Sequence, residues 1–332
     1  MMTAKNGMYF LADVAKLVAS GRPLLIAGDE ALLDRVPRGN WIGGTIPYFM
    51  GEQGGLQSKE MLHVSVIDGA KGGYVGWYNT TTIDDIAADA PVNGLTVCIL
   101  PAGSPIHEHY AKHAPDFEDM FMKPLGGWVA GVDLHDLGRV TPKVYNGATG
   151  QKSDRQAVAL HVELPADKQA KVELLNLFQP LDAHTLLFDA DGFTADECLI
   201  DGKRTNLARF ITEHAIDTRM PLVADYNGLY VNVSIQSVDA DSGHTRFYAP
   251  VFAGVEYFFA SPVADYVASF DRAMADRKID SVFSCNCILN YLYANLEGKK
   301  TGSLTGPMTF GEIAWQLLNQ TLVWVRIVDR QG

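Results

Sequence analysis

The chain has 332 residues, 47% of them hydrophobic and 20% charged, which is enough for about two domains with sizeable cores. Its 27 basic residues stand against 39 acidic ones, a net charge of −12, and no basic cluster beyond Lys299-Lys300 offsets it. That balance argues against a nucleic acid or an anionic membrane surface as partner, and no run reaches the roughly 18 apolar residues of a membrane span.

Residues 8–20 read as an amphipathic first helix, because Asp13 and Lys16 interrupt the apolar run that a signal peptide would need. Without an export signal, the four cysteines are expected as thiols in the reducing cytoplasm. The sequon-like triplets at Asn79, Asn232 and Asn319 then carry no meaning as glycosylation sites. Leu24 to Ala27 predicts a short buried strand ending at Gly28, followed by strands at residues 40–45 and 61–67. The glycines at 69, 72, 73 and 76 have the wrong spacing for a dinucleotide loop and read as a hairpin with a loose turn. Leu95 to Leu100 is apolar at nearly every position, as in a strand covered on both faces. Ser104-Pro105 then starts a helix with a hydroxyl cap and a proline in the first turn.

Residues 126–164 are Gly-rich and strand-like, closing in Ala157 to Glu163 after tight turns at Asn146-Gly147 and Gly150. Residues 165–182, of mixed periodicity, read as the crossing between two halves, 1–183 and 184–332. In the second half we expect a helix over 206–215, paired strands near 222–223 and 229–235, and a polar turn at 239–243 leading to Phe247-Tyr248. A helix opened by Pro262, a strand into Cys285, a helix to about Leu296 and a final strand at Leu322 complete the chain. Strands and helices mix without strict alternation, so the expected class is α+β: two mixed α/β domains with largely antiparallel or mixed sheets.

Three polar motifs close apolar segments near the C-terminus: Ser284-Cys285, Gly311-Glu312-Ile313 and Asn319-Gln320-Thr321. Strand ends are where side chains leave the core, so these motifs predict one shared polar pocket. Together with Phe283 and Thr309-Phe310, they resemble the Phe-Ser-Cys, aromatic-Gly-Glu-Ile and Asn-x-Thr motifs of FIST domains. Ile42-Gly43-Gly44-Thr45-Ile46-Pro47-Tyr48 is similar to that family's Ile-Gly-Cys-Ser/Thr-x-Gly-Glu, with Gly44, Pro47 and Tyr48 in place of its cysteine, second glycine and carboxylate. Gly126-Gly127 and Asn146-Gly147 resemble its Gly-Gly and Asn-Gly turns. The resemblance implies an N-like and a C-like domain and a sensory module that binds a small molecule, a polar metabolite such as an amino acid. Its site would be Cys285, Glu312, Asn319 and Thr321, completed by Thr45 and Tyr48, with output passed to a separate signalling protein. Glu312 is the carboxylate that a ligand ammonium would pair with, and Asn319 and Thr321 supply neutral hydrogen bonds. A cap or pairing role within its own segment is the alternative for Glu312.

Two other chemistries stay open at this level. Cys285 and Cys287 lie on one face of a strand, too few for a tetrahedral metal site, but Cys285 near a helix N-terminus would be a candidate nucleophile with His161 or His184 as base. Buried structural thiols are the alternative. His107, His109 and His113 form the one histidine cluster; His109 and His113 share a helix face at metal spacing while His107 lies apart. Some FIST-containing sensors are associated with haem, which gives this cluster a second possible role, against that of solvated surface histidines. No Walker loop, Gly-x-Gly-x-x-Gly motif or Gly-x-Ser-x-Gly elbow is present, so no catalytic residue and no cofactor is named.

Overall fold

The structure, a computed structural model, describes residues 5–226, 228–275, 277 and 279–330. It is an α+β fold of five sheets, four of six strands and one of three, with short helices between them. Each of three sheets holds a single parallel pair among antiparallel neighbours: Leu24–Gly28 with Trp41–Thr45, Gly94–Pro101 with Leu125–Ala130, and Phe283–Cys287 with Gly306–Thr309. Each pair is linked by a crossover that carries one short α-helix: Glu30–Leu33, Pro105–His113 and Ile288–Tyr293. Among the described residues, no helix is long and apolar enough to cross a membrane.

Two of the sheets take strands from both ends of the chain. Glu312–Ala314 pairs with Leu125–Ala130, placing Glu312 opposite Trp128. Gly306–Thr309 pairs with Tyr48–Gly51, whose hairpin partner is Gly54–Gln57. Residues 180–260, by contrast, supply every strand of a fourth sheet and of the three-stranded fifth. The chain thus leaves the first body, builds a second, and returns through Phe283–Cys287 and Leu322–Asp329 to finish the first.

Several local expectations change. The run at residues 8–20 divides: Gly7–Phe10 is an edge strand paired with Met61–Val66, and the helix is Leu11–Ala19. An amphipathic helix of nine residues buries Val14 and Val18, while the residues before it gain ladder bonds instead. The glycine-rich run at 69–76 is not a local hairpin; Gly72–Tyr78 pairs along its whole length with Ala157–Glu163. The expected crossing at 165–182 contains a full strand, Lys168–Leu175, matched over eight residues to Leu322–Asp329. Glu173 explains its hold: Arg326 donates to both carboxylate oxygens (2.6 and 2.9 Å) and the Trp324 indole donates at 2.9 Å. The helix expected from Pro262 begins later, at Tyr266, because Asp265 caps it by accepting the Ala268 amide.

Candidate functional site

The strand ends do converge, and Glu312 is where they meet. Its carboxyl is fully buried. The amide and the hydroxyl of Thr321, at the start of the last strand, both donate to Oε2 (3.1 and 2.9 Å). The Thr309 hydroxyl lies 3.4 Å from Oε1, and the Cys287 thiol completes the ring. Burial raises the carboxyl to about 8, which exceeds the opposing pull of the Thr321, Cys287 and Thr309 donors. The group is therefore mostly protonated at neutral pH and surrounded by protein donors. It lines neither of the two large cavities described below.

Cys285 belongs to the same knot. Its sulfur donates to the Gly127 carbonyl at 3.3 Å. Gly127 itself must be glycine because of its neighbouring strand: φ is +155° and a Cβ would lie 1.9 Å from the Cys98 carbonyl oxygen. Burial, then the Glu312 charge, pushes the Cys285 thiol well above its ordinary value. The helix starts after Cys287, not between the two cysteines, so Cys285 gains nothing from a helix terminus. Neither proposed base is free to serve it. His161 is held between Thr96 (2.9 Å) and Tyr78 (2.8 Å), and His184 pairs with Asp201 at 2.7 Å.

Asn319 faces the second body instead. Its Oδ1 accepts the Ser234 amide at 3.4 Å and its carbonyl accepts Asn232 Nδ2 at 3.1 Å. Gln320 beside it has φ of +51°, a strained conformation for a side chain of this size, and is locked by Ser234 Oγ (2.7 Å) and the Arg219 carbonyl (3.1 Å).

Thr45 and Tyr48 lie in a separate cluster around Asp133. Thr45 Oγ1 accepts the Lys143 amide at 2.9 Å. The Tyr48 hydroxyl donates to Asp133 Oδ1 (3.3 Å) and accepts the Leu134 amide (3.2 Å). Gln57 (3.0 Å) and Lys59 (2.7 Å) take the other carboxylate oxygen. Burial alone would raise Asp133, but Lys59 and the His135 amide and ring outweigh it and hold the carboxyl well below the usual range. Gly44, near this cluster, is tightly enclosed. A Cβ at Gly44 would stand 2.8 Å from Ile99 Cγ2 and 3.0 Å from Trp128 Nε1.

The open space is elsewhere. A cleft of about 490 Å³ lies where the body formed by residues 180–260 meets the rest of the chain. Phe193, Tyr248 and Phe310 form aromatic walls, Leu289 and Leu292 an apolar one, and Arg246 is an exposed cation on its lining. Arg246 and Glu108, the charged residues of this lining, make no ion pair among the described residues. His107, 8% exposed, stands in the wall. Its Nδ1 accepts the Gly103 amide at 3.3 Å, so the proton sits on Nε2, and that N–H is buried with no partner. Burial lowers its pKa to about 4, which keeps the ring neutral.

The histidine cluster therefore divides. His107 is buried rather than solvated, His109 pairs with Asp84 at 2.7 Å, and the rings of His109 and His113 lie 4.8 Å apart on the other side of the helix. Among the described residues, no three His, Cys, Asp or Glu side chains gather as a metal site would require. Sequence reasoning weighed His107 only as part of a haem or metal cluster with His109 and His113, and it did not name Arg246 or Tyr248 as a site. One signal was available: His107 shares helical spacing with the apolar Tyr110 and Ala111, a buried face on which a histidine needs a partner.

The model of a family described as of unknown function, DUF6976, matches residues 9–328. No curated protein and no solved structure matches the chain.

Proposed function

The chain belongs to DUF6976, a family of unknown function, and we propose that it is a small-molecule-binding protein whose ligand occupies the cleft between its two bodies. One observation carries the reading: the buried His107 Nε2–H, fixed as a donor and left without a protein acceptor, in the wall of a 490 Å³ cleft. A buried donor without a protein partner costs about 1–3 kcal/mol, a loss that a ligand oxygen reaching it from the cleft would offset. The unpaired Arg246 guanidinium on the same lining fits a carboxylate or phosphate, and the aromatic walls fit the apolar body of the molecule. Glu108 on that lining supplies the charge that an ammonium would meet, so a polar zwitterion such as an amino acid fits both signs.

The resemblance to FIST domains supports reading the bound molecule as a signal passed to a separate protein. The four free, buried cysteines are compatible with work in a reducing cytoplasm. In this reading Glu312, Cys285 and Thr321 fix the strand ends beneath the cleft and do not touch the ligand.

The test is a thermal-unfolding screen against amino acids, other small carboxylates and phosphates, in wild type, His107→Leu and Arg246→Ala. A ligand at a hundredfold its dissociation constant adds about 2.7 kcal/mol. The proposal requires at least one acid to raise the midpoint in wild type, with the rise lost in both variants. A rise that persists in both variants moves the ligand out of the cleft and sinks the proposal.

A further inference from the structure

The helix Ile288–Tyr293 has open space on two sides. Ile288, Leu289 and Leu292 line the cleft, whereas Asn290, Tyr293 and the following Ala294 line a second cavity of about 320 Å³. Helical spacing puts these sets on opposite faces, so this one short helix is a partition between two cavities.

Asn290 is 2% exposed. Its Nδ2 donates to Asn286 Oδ1 at 2.9 Å. That same oxygen accepts the Cys287 amide at 2.7 Å, an N–H that also reaches the Thr321 carbonyl at 3.2 Å. A flipped Asn286 would set its NH2 2.7 Å from that N–H, donor against donor, so the network assigns Oδ1 of Asn286 to Cys287 and Nδ2 of Asn290 to Asn286. What remains is Asn290 Oδ1, a buried acceptor with no donor among the described residues. The surrounding cavity has Tyr266 and Tyr293 as aromatic faces, Phe178 and Val267 as apolar ones, and two exposed charges, Asp265 and Lys299. Asp265 spends one oxygen on the cap of its own helix, at the Ala268 amide, which leaves the second available.

We infer that this cavity is a second binding site, for a small molecule that presents an N–H donor, an ammonium or a primary amide, to Asn290 Oδ1. An unpartnered acceptor on a lining residue, a carboxylate on the lining and tyrosine faces suit such a group. A carboxylate ligand has nothing to offer Asn290, so the preference is opposite in sign to that of the cleft. The inference does not depend on the cleft being occupied.

The experiment uses the full chain and three matched probes, ethylammonium, acetamide and acetate. Each is titrated while the side-chain amide resonances of Asn290 are followed in the ¹⁵N-labelled protein, and crystals are soaked with the same compounds. Shifts with ethylammonium or acetamide and none with acetate support the site, and which of the two binds more tightly separates ammonium from amide recognition. Asn290→Leu should keep the fold and weaken the donor probe at least tenfold, whereas His107→Leu, which disables only the cleft, should leave the probe response intact. Equal shifts from all three probes, no shift from any, or soaked crystals with only water or the Lys299 ammonium on Asn290 Oδ1 would overturn the inference. The wild-type soaks decide the matter even if Asn290→Leu does not fold.

Discussion

Thr321 holds Glu312 by two donors from one residue, its amide at 3.1 Å and its hydroxyl at 2.9 Å, both on Oε2. The arrangement joins the strand Glu312–Ala314 to the start of Leu322–Asp329, and Thr309 and Cys287 bring in the ends of two more strands. A carboxyl used this way is a fastening within the core. Its protonation state then becomes a stability variable.

Glu312 should make the fold weaken as pH rises through neutrality. The unfolded carboxyl titrates near 4.3 and the folded one at about 8, so between those values the folded state binds the extra proton. Its stabilising contribution is whole below the unfolded pKa and is lost as pH climbs through the folded one. The full span corresponds to about 5 kcal/mol at 1.36 kcal/mol per unit. Glu312→Gln removes the titration while keeping an acceptor for Thr321. The stability difference between the two proteins, measured by urea unfolding from pH 4.5 to 8.5, should slope against wild type. The difference isolates this group from the buried neutral His107 and His161, whose lowered pKa values act in the opposite direction as pH falls. A flat difference would show that Glu312 is ionised in the folded state.

Packing holds Gly44 to a residue without a side chain. Gly44→Cys should destabilise the chain by about 1–3 kcal/mol, since the new Cβ meets Ile99, Trp128 and Ala130 at 2.8, 3.0 and 3.2 Å. Ile99→Ala in the same chain should return part of that loss. Urea midpoints of the two single variants and the double variant measure the coupling. Equal stability of Gly44→Cys and wild type would mean that this wall yields more easily than a packed core does.

All four cysteines are buried and unpaired, and burial pushes the thiols of Cys285 and Cys287 well above their ordinary value. Iodoacetamide near pH 7.5 should therefore leave the folded protein unmodified and label all four only after denaturation. Peptide mass spectrometry reads the outcome site by site. Fast labelling of Cys285 alone in the folded state would restore it as a nucleophile.

The sequence grouped Cys285, Glu312 and Thr321 by one physical feature, polar residues where apolar strands end, and the fold brings those three together. It could not tell a knot from a pocket. That depends on what the opposite strand ends present, here Thr309 and Cys287, whose side chains fill the space a ligand would need. Thr45 and Tyr48 were joined to the group through a resemblance, whereas register carries Tyr48 to Asp133 and Thr45 to the Lys143 amide. The edge strands were hardest to read. Gly7–Phe10 and Lys168–Leu175 owe their conformation to partners about fifty and 160 residues away, and their own patterns do not announce it. The strand Gly94–Pro101, buried on both faces, and the helix after Ser104 were plain, because a local pattern fixes each.

His107→Leu separates a binding role from a structural one more sharply than any other change. In a structural histidine the ring nitrogens are both engaged, and leucine would cost stability by leaving a partner without its bond. Here Nε2 has no partner, and Nδ1 accepts a single, long bond from the Gly103 amide. Leucine removes an unsatisfied donor from an apolar wall, so the variant should unfold within about 1 kcal/mol of wild type or be more stable. Any acid that binds the cleft should lose at least tenfold in affinity, because the N–H that meets its oxygen is gone. Arg246→Ala, at an exposed site, should leave stability within about 0.5 kcal/mol and weaken the same ligand, with a loss that shrinks as salt is raised. Calorimetric titration of both variants against the best acid from the screen, with urea unfolding alongside, gives the two readouts together. A protein that loses stability with His107→Leu yet binds as before would place the histidine in the scaffold and empty the cleft of its function.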